Sequence, residues 1–162
     1  MENSKAARTV RVTVSYELRD HTADIAVEAT APTLSALFEA LAEGFTAASC
    51  DAVPADGDRF DLRVTAESRE ALLFDYLDQL VYERDVRDVL PADHECVVEA
   101  GTVEAGTVEA GAVDPDAWTV RASARGVPLD RVAAREIKAV TYSEMTLEER
   151  EDGWYGYVVF DV

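Results

Sequence analysis

Residues 154–162 read Trp-Tyr-Gly-Tyr-Val-Val-Phe-Asp-Val, and this stretch decides how the last part of the chain folds. Aromatic and β-branched residues dominate it, which predicts a strand. Because chain ends usually fray, an apolar strand pattern that continues to the final residue predicts that this end is held in the fold. Asp161 and an α-carboxylate then lie together, and both are hard oxygen ligands of the kind that calcium and magnesium bind.

A second group of acids lies near the beginning of the chain, in the run Asp20-His21-Thr22-Ala23-Asp24. Asp20 either lies beside metal ligands or caps the turn through a hydrogen bond to nearby backbone. His21 could bind a metal or titrate, but a single histidine without a second nitrogen or sulfur ligand favours a packed turn residue. The alternative for all these acids is a strand end with solvated carboxylates, as expected in so acidic a chain.

The periodicity of apolar residues outlines the remaining elements. Period-two alternation predicts strands, and apolar residues at helical spacing predict two helices, one capped by Thr33 and one starting at about Ser68. The predicted strands lie at residues 10–16, 25–29, 60–64, 118–122, 137–145 and 154–162. This order predicts a single α+β domain, with a mixed or antiparallel sheet and two helices packed on one face.

The chain divides into an arm and a domain, and the domain contains one insertion. We predict a flexible arm at residues 1–8 and a domain at residues 9–162. Residues 99–113 repeat the unit Glu-Ala-Gly-Thr-Val with small changes, and a period of five with a glycine in each unit fits neither helix nor strand. We interpret this segment as an acidic, Gly-rich surface insertion between two strands.

The charge of the chain limits its partners and its environment. It carries 33 acidic and 15 basic residues, a net charge of −18, and 13 of the basic residues are arginine. An acidic, lysine-poor surface suits molar salt, where screening reduces self-repulsion, so we interpret the chain as a halophilic archaeal protein. Direct nucleic-acid binding is not expected, because phosphate recognition needs clustered cations. No apolar run approaches the length of a membrane span and no signal peptide is evident, so we expect a cytoplasmic protein with no membrane partner.

Three segments together resemble the archease family. They are the run at residues 20–24, the segment Glu-Ile-Lys-Ala-Val-Thr-Tyr-Ser at residues 136–143, and the ending Phe-Asp-Val at residues 160–162. The resemblance extends over roughly residues 14–162, and the combination is more specific than any one motif. It implies a divalent metal held by Asp24, Asp161 and Val162, most often Ca²⁺, with Mg²⁺ or Mn²⁺ as alternatives.

Lys138 is one of only two lysines in the chain, and it lies inside the second of these segments. One interpretation is that it pairs with a motif acid or contacts a partner in a way that arginine cannot. The other is that its aliphatic stem packs over the sheet while the ammonium group stays in water. Strand alternation predicts that Lys138, Val140 and Tyr142 share one face.

The resemblance also implies a function. Archease-like proteins are accessory factors of the RtcB-type tRNA-splicing ligase, and the expected role is to promote guanylylation of the ligase, multiple turnover and wider use of nucleoside triphosphates. No nucleophile or phosphate-loop motif occurs in the sequence, so we do not expect an enzyme. The alternatives are a general chaperone or assembly modulator of an RNA-modifying enzyme and, less favoured, a metal-dependent hydrolase.

Overall fold

The computed structural model describes residues 8–17, 22–101 and 117–162, which form two α-helices, seven strands and a short 3₁₀ turn. The helices are α1 (Leu34–Ser49) and α2 (Arg69–Arg87), and the 3₁₀ turn is Leu129–Arg131. The strands are β1 (Thr9–Glu17), β2 (Thr22–Ala31), β3 (Asp58–Ala66), β4 (Val89–Ala100), β5 (Trp118–Pro128), β6 (Ala139–Arg150) and β7 (Gly153–Asp161).

The strands form two antiparallel sheets. One has four strands in the order β1-β2-β7-β6, and the other has three in the order β3-β5-β4. Helix α1 packs on β2 of the first sheet and β4 of the second, while α2 packs on β6 and on β3. The predicted α+β class with two helices is therefore confirmed, and each helix contacts both sheets.

Both predicted helix starts are confirmed by their caps. The Thr33 side chain accepts a hydrogen bond from the backbone N–H of Ala36 at 3.1 Å, and Ser68 accepts one from Ala71 at 3.0 Å. Each bond satisfies one of the backbone donors that a helix leaves unpaired at its N-terminus. Helix α2 ends at Asp88, which adopts the left-handed conformation typical of a helix C-terminus (φ 60°).

Two close contacts fix the helices against the sheets. A Cβ atom at Gly44 of α1 would overlap Cγ1 of Val27, so the absence of a side chain allows α1 to approach β2 closely. At the start of α2, the Arg69 guanidinium lies over both tryptophan rings, 5.5 Å from the centroid of Trp118 and 5.1 Å from that of Trp154. Because these rings belong to β5 and β7, Arg69 joins the two sheets.

Strand β4 lies at an edge of the three-stranded sheet, and α1 covers that edge. The backbone N–H groups of His94, Cys96 and Val98 donate at 2.9–3.0 Å to Glu43, Glu39 and Ser35, which lie four residues apart along α1. Edge strands with unpaired N–H groups invite pairing with other chains. The side chains of α1 occupy these donors and so protect β4.

His94 is also part of a buried polar cluster between α1 and β4. Its Nε2 lies 2.8 Å from the Thr46 hydroxyl oxygen, which itself contacts the carbonyl oxygens of Pro91 at 2.8 Å and Ala42 at 3.2 Å. Since the hydroxyl has one hydrogen and carbonyls only accept, Thr46 donates to a carbonyl and accepts from His94 Nε2–H. Burial lowers the pKa of His94 to about 3, so at neutral pH the ring is a neutral imidazole with its proton on Nε2.

Several predictions concern residues outside the described part of the chain. Residues 1–7 of the predicted arm and residues 102–113 of the predicted insertion belong to this group, while Glu99 and Ala100 end β4. None of the described helices is both long and apolar enough to cross a membrane.

Candidate functional site

The three segments singled out in the sequence meet at one end of the four-stranded sheet. Asp24, near the start of β2, is the cross-strand partner of Asp161, near the end of β7. On the other side of β7, Ala139 at the start of β6 is also the partner of Asp161. The backbone N–H of Lys138 donates to the carbonyl oxygen of Asp161 at 2.8 Å. Residues more than 100 positions apart in the sequence thus form one cluster of two carboxylates and a lysine.

The buried side of the sheet determines where these carboxylates lie. Ile25 and Phe160 are cross-strand partners, both are fully buried, and Phe160 also packs against Phe45 of α1 with ring centroids 5.6 Å apart. Because successive side chains of a strand point to opposite faces, the residues next to this pair lie on the outer face. Asp24 and Asp161 therefore share the outer face of the sheet.

The two carboxylates are electrostatically coupled. Partial burial raises the pKa of Asp161, and a hydrogen bond with Asp24 and the negative charge of Asp24 raise it further. The positive charge of Lys138 acts on the pKa of Asp161 in the opposite direction. Two carboxylates in contact favour a shared proton or another cation between them. The cluster is thus suited to bind a positive ion.

The other predicted site residues are Val162, Asp20 and His21. The Val162 side chain is partly buried and packs against the core, so the chain is held there as predicted. Asp20 and His21 lie outside the described residues, and their roles stay predictions. Within the described residues, no group of three or more His, Cys, Asp or Glu side chains could hold a metal. The acidic side chains described at this cluster are Asp24 and Asp161.

The segment before β6 departs from simple strand alternation. The strand begins at Ala139 rather than at Ile137, and Ile137 is fully buried although it lies an odd number of residues from the buried Val140. Lys138, between them, is exposed. The residues leading into the strand thus turn Ile137 into the core and leave the Lys138 side chain accessible beside Asp161.

Arg84 of α2 is a residue near this segment that sequence reasoning missed. Its side chain is buried, donates to Asp85 at 2.9 and 3.2 Å, and lies 3.9 Å from the Glu136 carboxylate. Its Nη1 atom is buried without a hydrogen-bond partner among the described residues. An arginine on the apolar side of the last turn of α2 is the sequence signal that could have identified it, because arginines are rarely buried.

A model of the archease protein family (MTH1598/TM1083) matches residues 16–162. The chain belongs to the archease family. Among its curated relatives, the archease of Methanosarcina acetivorans is 32% identical over 151 residues, covering 91% of this chain and 95% of the relative. The archease of Pyrococcus furiosus is 26% identical over 152 residues, covering 91% of this chain and 98% of the relative.

Two solved structures have a similar fold. The solution structure of Methanobacterium thermoautotrophicum protein 1598 has a TM-score of 0.70 and 21% identity, covering 93% of this chain and 98% of that one. The crystal structure of an archease from Thermotoga maritima, described as a possible chaperone, has a TM-score of 0.53 and 19% identity. The match covers 85% of this chain and 89% of that one. At these identities the likeness concerns the fold alone.

Within this archease fold, the outer-face cluster can do two things chemically. Two adjacent carboxylates supply hard oxygen ligands that suit a divalent cation, with water and main-chain oxygens completing its coordination. The Lys138 ammonium can pair with a carboxylate or with an anionic group of a partner.

Proposed function

We propose that this archease-family chain is an accessory protein of the RtcB-type tRNA-splicing ligase. In this proposal it promotes guanylylation of the ligase, supports multiple turnover and widens the choice of nucleoside triphosphate. The observation that carries the proposal is the meeting of Asp24, Asp161 and Lys138 at one end of the four-stranded sheet. These residues come from the three segments that carry the archease resemblance.

The acidic pair is the proposed binding position of a divalent metal. Asp24 and Asp161 would supply carboxylate oxygens and Val162 a main-chain oxygen, and the coupling of the two carboxylates supports such a role. An all-oxygen ligand set with water favours Ca²⁺, with Mg²⁺ or Mn²⁺ as alternatives. A bound dication would neutralise the two carboxylates and attract anionic groups such as nucleotide phosphates.

Lys138 is proposed to offset part of the negative charge of Asp24 and Asp161 at the metal position. Its backbone is fixed by the bond to Asp161, and its charge opposes the rise in the pKa of that carboxyl group. The exposed ammonium group is then placed to meet a carboxylate or phosphate of the ligase. Substitution by methionine would keep the stem and remove the charge.

The charge of the chain supports an action on a protein rather than directly on RNA. A net charge of −18 opposes the approach of phosphate groups. The same charge attracts a partner whose binding cleft is basic. The proposed partner is accordingly the ligase protein.

Calorimetric titration with Ca²⁺ and turnover by the cognate ligase test the two parts of this proposal. Asp24→Ala should weaken Ca²⁺ binding and remove stimulation of multiple-turnover ligation, because it deletes one of the two carboxylates. Glu28→Ala is the matched control: Glu28 lies on the same face of β2 but interacts with Arg11 and Tyr155. Full stimulation by folded Asp24→Ala would contradict the proposal.

A chaperone or assembly role is the second candidate, since the Thermotoga maritima relative is described as a possible chaperone. It predicts that the protein suppresses aggregation of unrelated client proteins and that Asp24→Ala does so equally well. A stimulation that is specific for the ligase and lost in Asp24→Ala would exclude this candidate. A hydrolase would instead need turnover by the isolated protein.

A further inference from the structure

The most exposed large apolar side chains of the described residues lie on one side of the molecule. Tyr82 and Val86 of α2 are 56% and 61% exposed, and Tyr142 of β6 is 52% exposed. The other exposed large apolar side chains of the described residues are 37–46% exposed and belong to Val10, Val12 and Val97. Tyr82 and Val86 are four residues apart and lie together on the helix surface.

A bulge in β6 brings Tyr142 to the helix. Thr141 pairs with Val159 and Thr146 pairs with Tyr157, so four residues of β6 oppose a single residue of β7. Bulges at sheet edges re-aim side chains, and β6 is an edge strand. The Tyr142 ring packs against Phe74 of α2 with centroids 5.0 Å apart. The exposed aromatic ring of β6 thus lies on α2 at Phe74, about two helical turns or roughly 12 Å before Tyr82.

Acidic side chains accompany these apolar groups. Asp75 and Asp78 lie on the exposed side of α2, and Glu144 is exposed in the bulge. Partial burial and the charge of Asp78 raise the pKa of Asp75. The arginines of the last turn of α2 point elsewhere, since Arg84 is buried and donates to Asp85, and Arg87 stacks over the Phe60 ring at 4.3 Å. Asp78 lies four residues from both Phe74 and Tyr82 on α2, so apolar and acidic side chains alternate along this surface.

We propose that this surface docks the ligase through a patch of the ligase that combines basic and apolar side chains. We call it the α2–β6 surface, and it consists of Tyr82, Val86, Tyr142, Asp75, Asp78 and Glu144. Exposed apolar groups framed by charges are typical of protein interaction sites. A second copy of this chain would place acid against acid, and RNA phosphates would meet the same repulsion, so charge complementarity selects a basic protein surface.

The α2–β6 surface adjoins the proposed metal position, and this inference rests on the proposed function. Tyr142 follows Lys138 by four residues, so their backbones are at most about 13 Å apart. A ligase bound to this surface would reach Asp24, Asp161 and Lys138 by extending around the edge strand β6. Docking would then depend on α2 and Tyr142, and stimulation on the acidic pair on the outer face of the sheet.

Surface plasmon resonance with the immobilised cognate ligase separates these two contributions. Tyr82→Gln/Val86→Gln should weaken the equilibrium binding by about tenfold or more, because a few anchor residues, tyrosine prominent among them, carry most of the binding energy of an interface. Its thermal unfolding and its stimulation of guanylylation at saturating concentration should stay close to wild type. The matched control Val10→Gln/Val97→Gln replaces exposed apolar residues elsewhere and should bind as wild type does. Asp24→Ala should bind normally and fail to stimulate.

A charge series tests the carboxylates of the surface. Asp75→Asn/Asp78→Asn/Glu144→Gln should slow association and reduce its dependence on salt. The control Asp51→Asn/Asp130→Asn/Glu151→Gln removes the same charge elsewhere and should change association less.

The outcomes distinguish the docking inference from the proposed function. One outcome is that Tyr82→Gln/Val86→Gln binds as tightly as wild type, the charge variant associates as fast as wild type, and wild type stimulates the ligase. In that case the docking surface is wrong and the proposed function stands. If the wild-type protein neither binds nor stimulates the ligase, both are overturned. Weaker binding by Tyr82→Gln/Val86→Gln than by Val10→Gln/Val97→Gln, with normal folding of both, supports the α2–β6 surface.

Discussion

Lowering the pH from 7 to 5 is expected to destabilise the fold through His94, the buried histidine between α1 and β4. Its Nε2–H donates to Thr46, and its Nδ1 atom is buried without a hydrogen-bond partner among the described residues. A second proton on the ring would be buried in a position that provides no acceptor for it. The folded state therefore keeps His94 neutral.

The size of this destabilisation follows from the pKa of His94 in the unfolded and in the folded protein. A histidine in the unfolded chain has a pKa of about 6.5, whereas burial lowers the pKa of His94 in the folded protein to about 3. Between these values the unfolded state binds more protons, so the free energy of unfolding falls as the pH falls, by up to about 1.4 kcal/mol per pH unit. From pH 7 to pH 5 the loss is about 2 kcal/mol. In a domain of this size it lowers the melting temperature by roughly 4–8 °C.

Urea unfolding in molar KCl at both pH values, for wild type and His94→Gln, isolates this contribution. Glutamine can still donate to Thr46 but does not titrate, so the difference between the two proteins should shrink at pH 5 by about 2 kcal/mol. Carboxylates titrate in both proteins and cancel in the comparison. Equal pH dependence of the two stabilities, or an NMR titration of the His94 ring near its ordinary pKa, would refute the reasoning.

Three further substitutions test the packing and the acidic pair. Arg69→Ala should lower the free energy of unfolding by about 1–2 kcal/mol and shift the tryptophan fluorescence, because it removes the cation from both indole rings; unchanged emission would contradict this. Gly44→Ala should cost about 1–3 kcal/mol in urea unfolding through overlap with Val27; wild-type stability would show that α1 can shift. Asp161→Asn should raise the melting temperature in EDTA at neutral pH by relieving repulsion from Asp24, and it should abolish ligase stimulation; a lower melting temperature would oppose the repulsion argument.

Local periodicity and capping chemistry were sufficient to predict both helices and most strands. Thr33 and Ser68 have the side chains that cap helix donors, and the structure uses both in this way. Strand β4 was not predicted, because Pro91, Asp93 and His94 interrupt the apolar pattern. Its edge is satisfied by side chains of α1, which only the folded structure brings beside it.

The candidate site was predictable from its motifs but not from periodicity. The pairing of β2 with β7 joins positions more than 100 residues apart, and alternation alone does not specify which strands pair. The motif resemblance selected Asp24, Asp161 and Lys138, and the structure places them together. The buried Arg84 beside Glu136 and the bulge at Tyr142 depend on how α2 packs on β6, which the sequence pattern does not specify.

A single-turnover guanylylation assay of the cognate ligase in molar KCl, with and without this protein, tests the central claim most directly. The protein should carry an untagged C-terminus, so that Asp161 and Val162 keep their surroundings. We predict faster guanylylation with wild type and with Glu28→Ala, and no acceleration with folded Asp24→Ala. No acceleration by folded, Ca²⁺-supplied wild-type protein would contradict the account and favour the chaperone or assembly role.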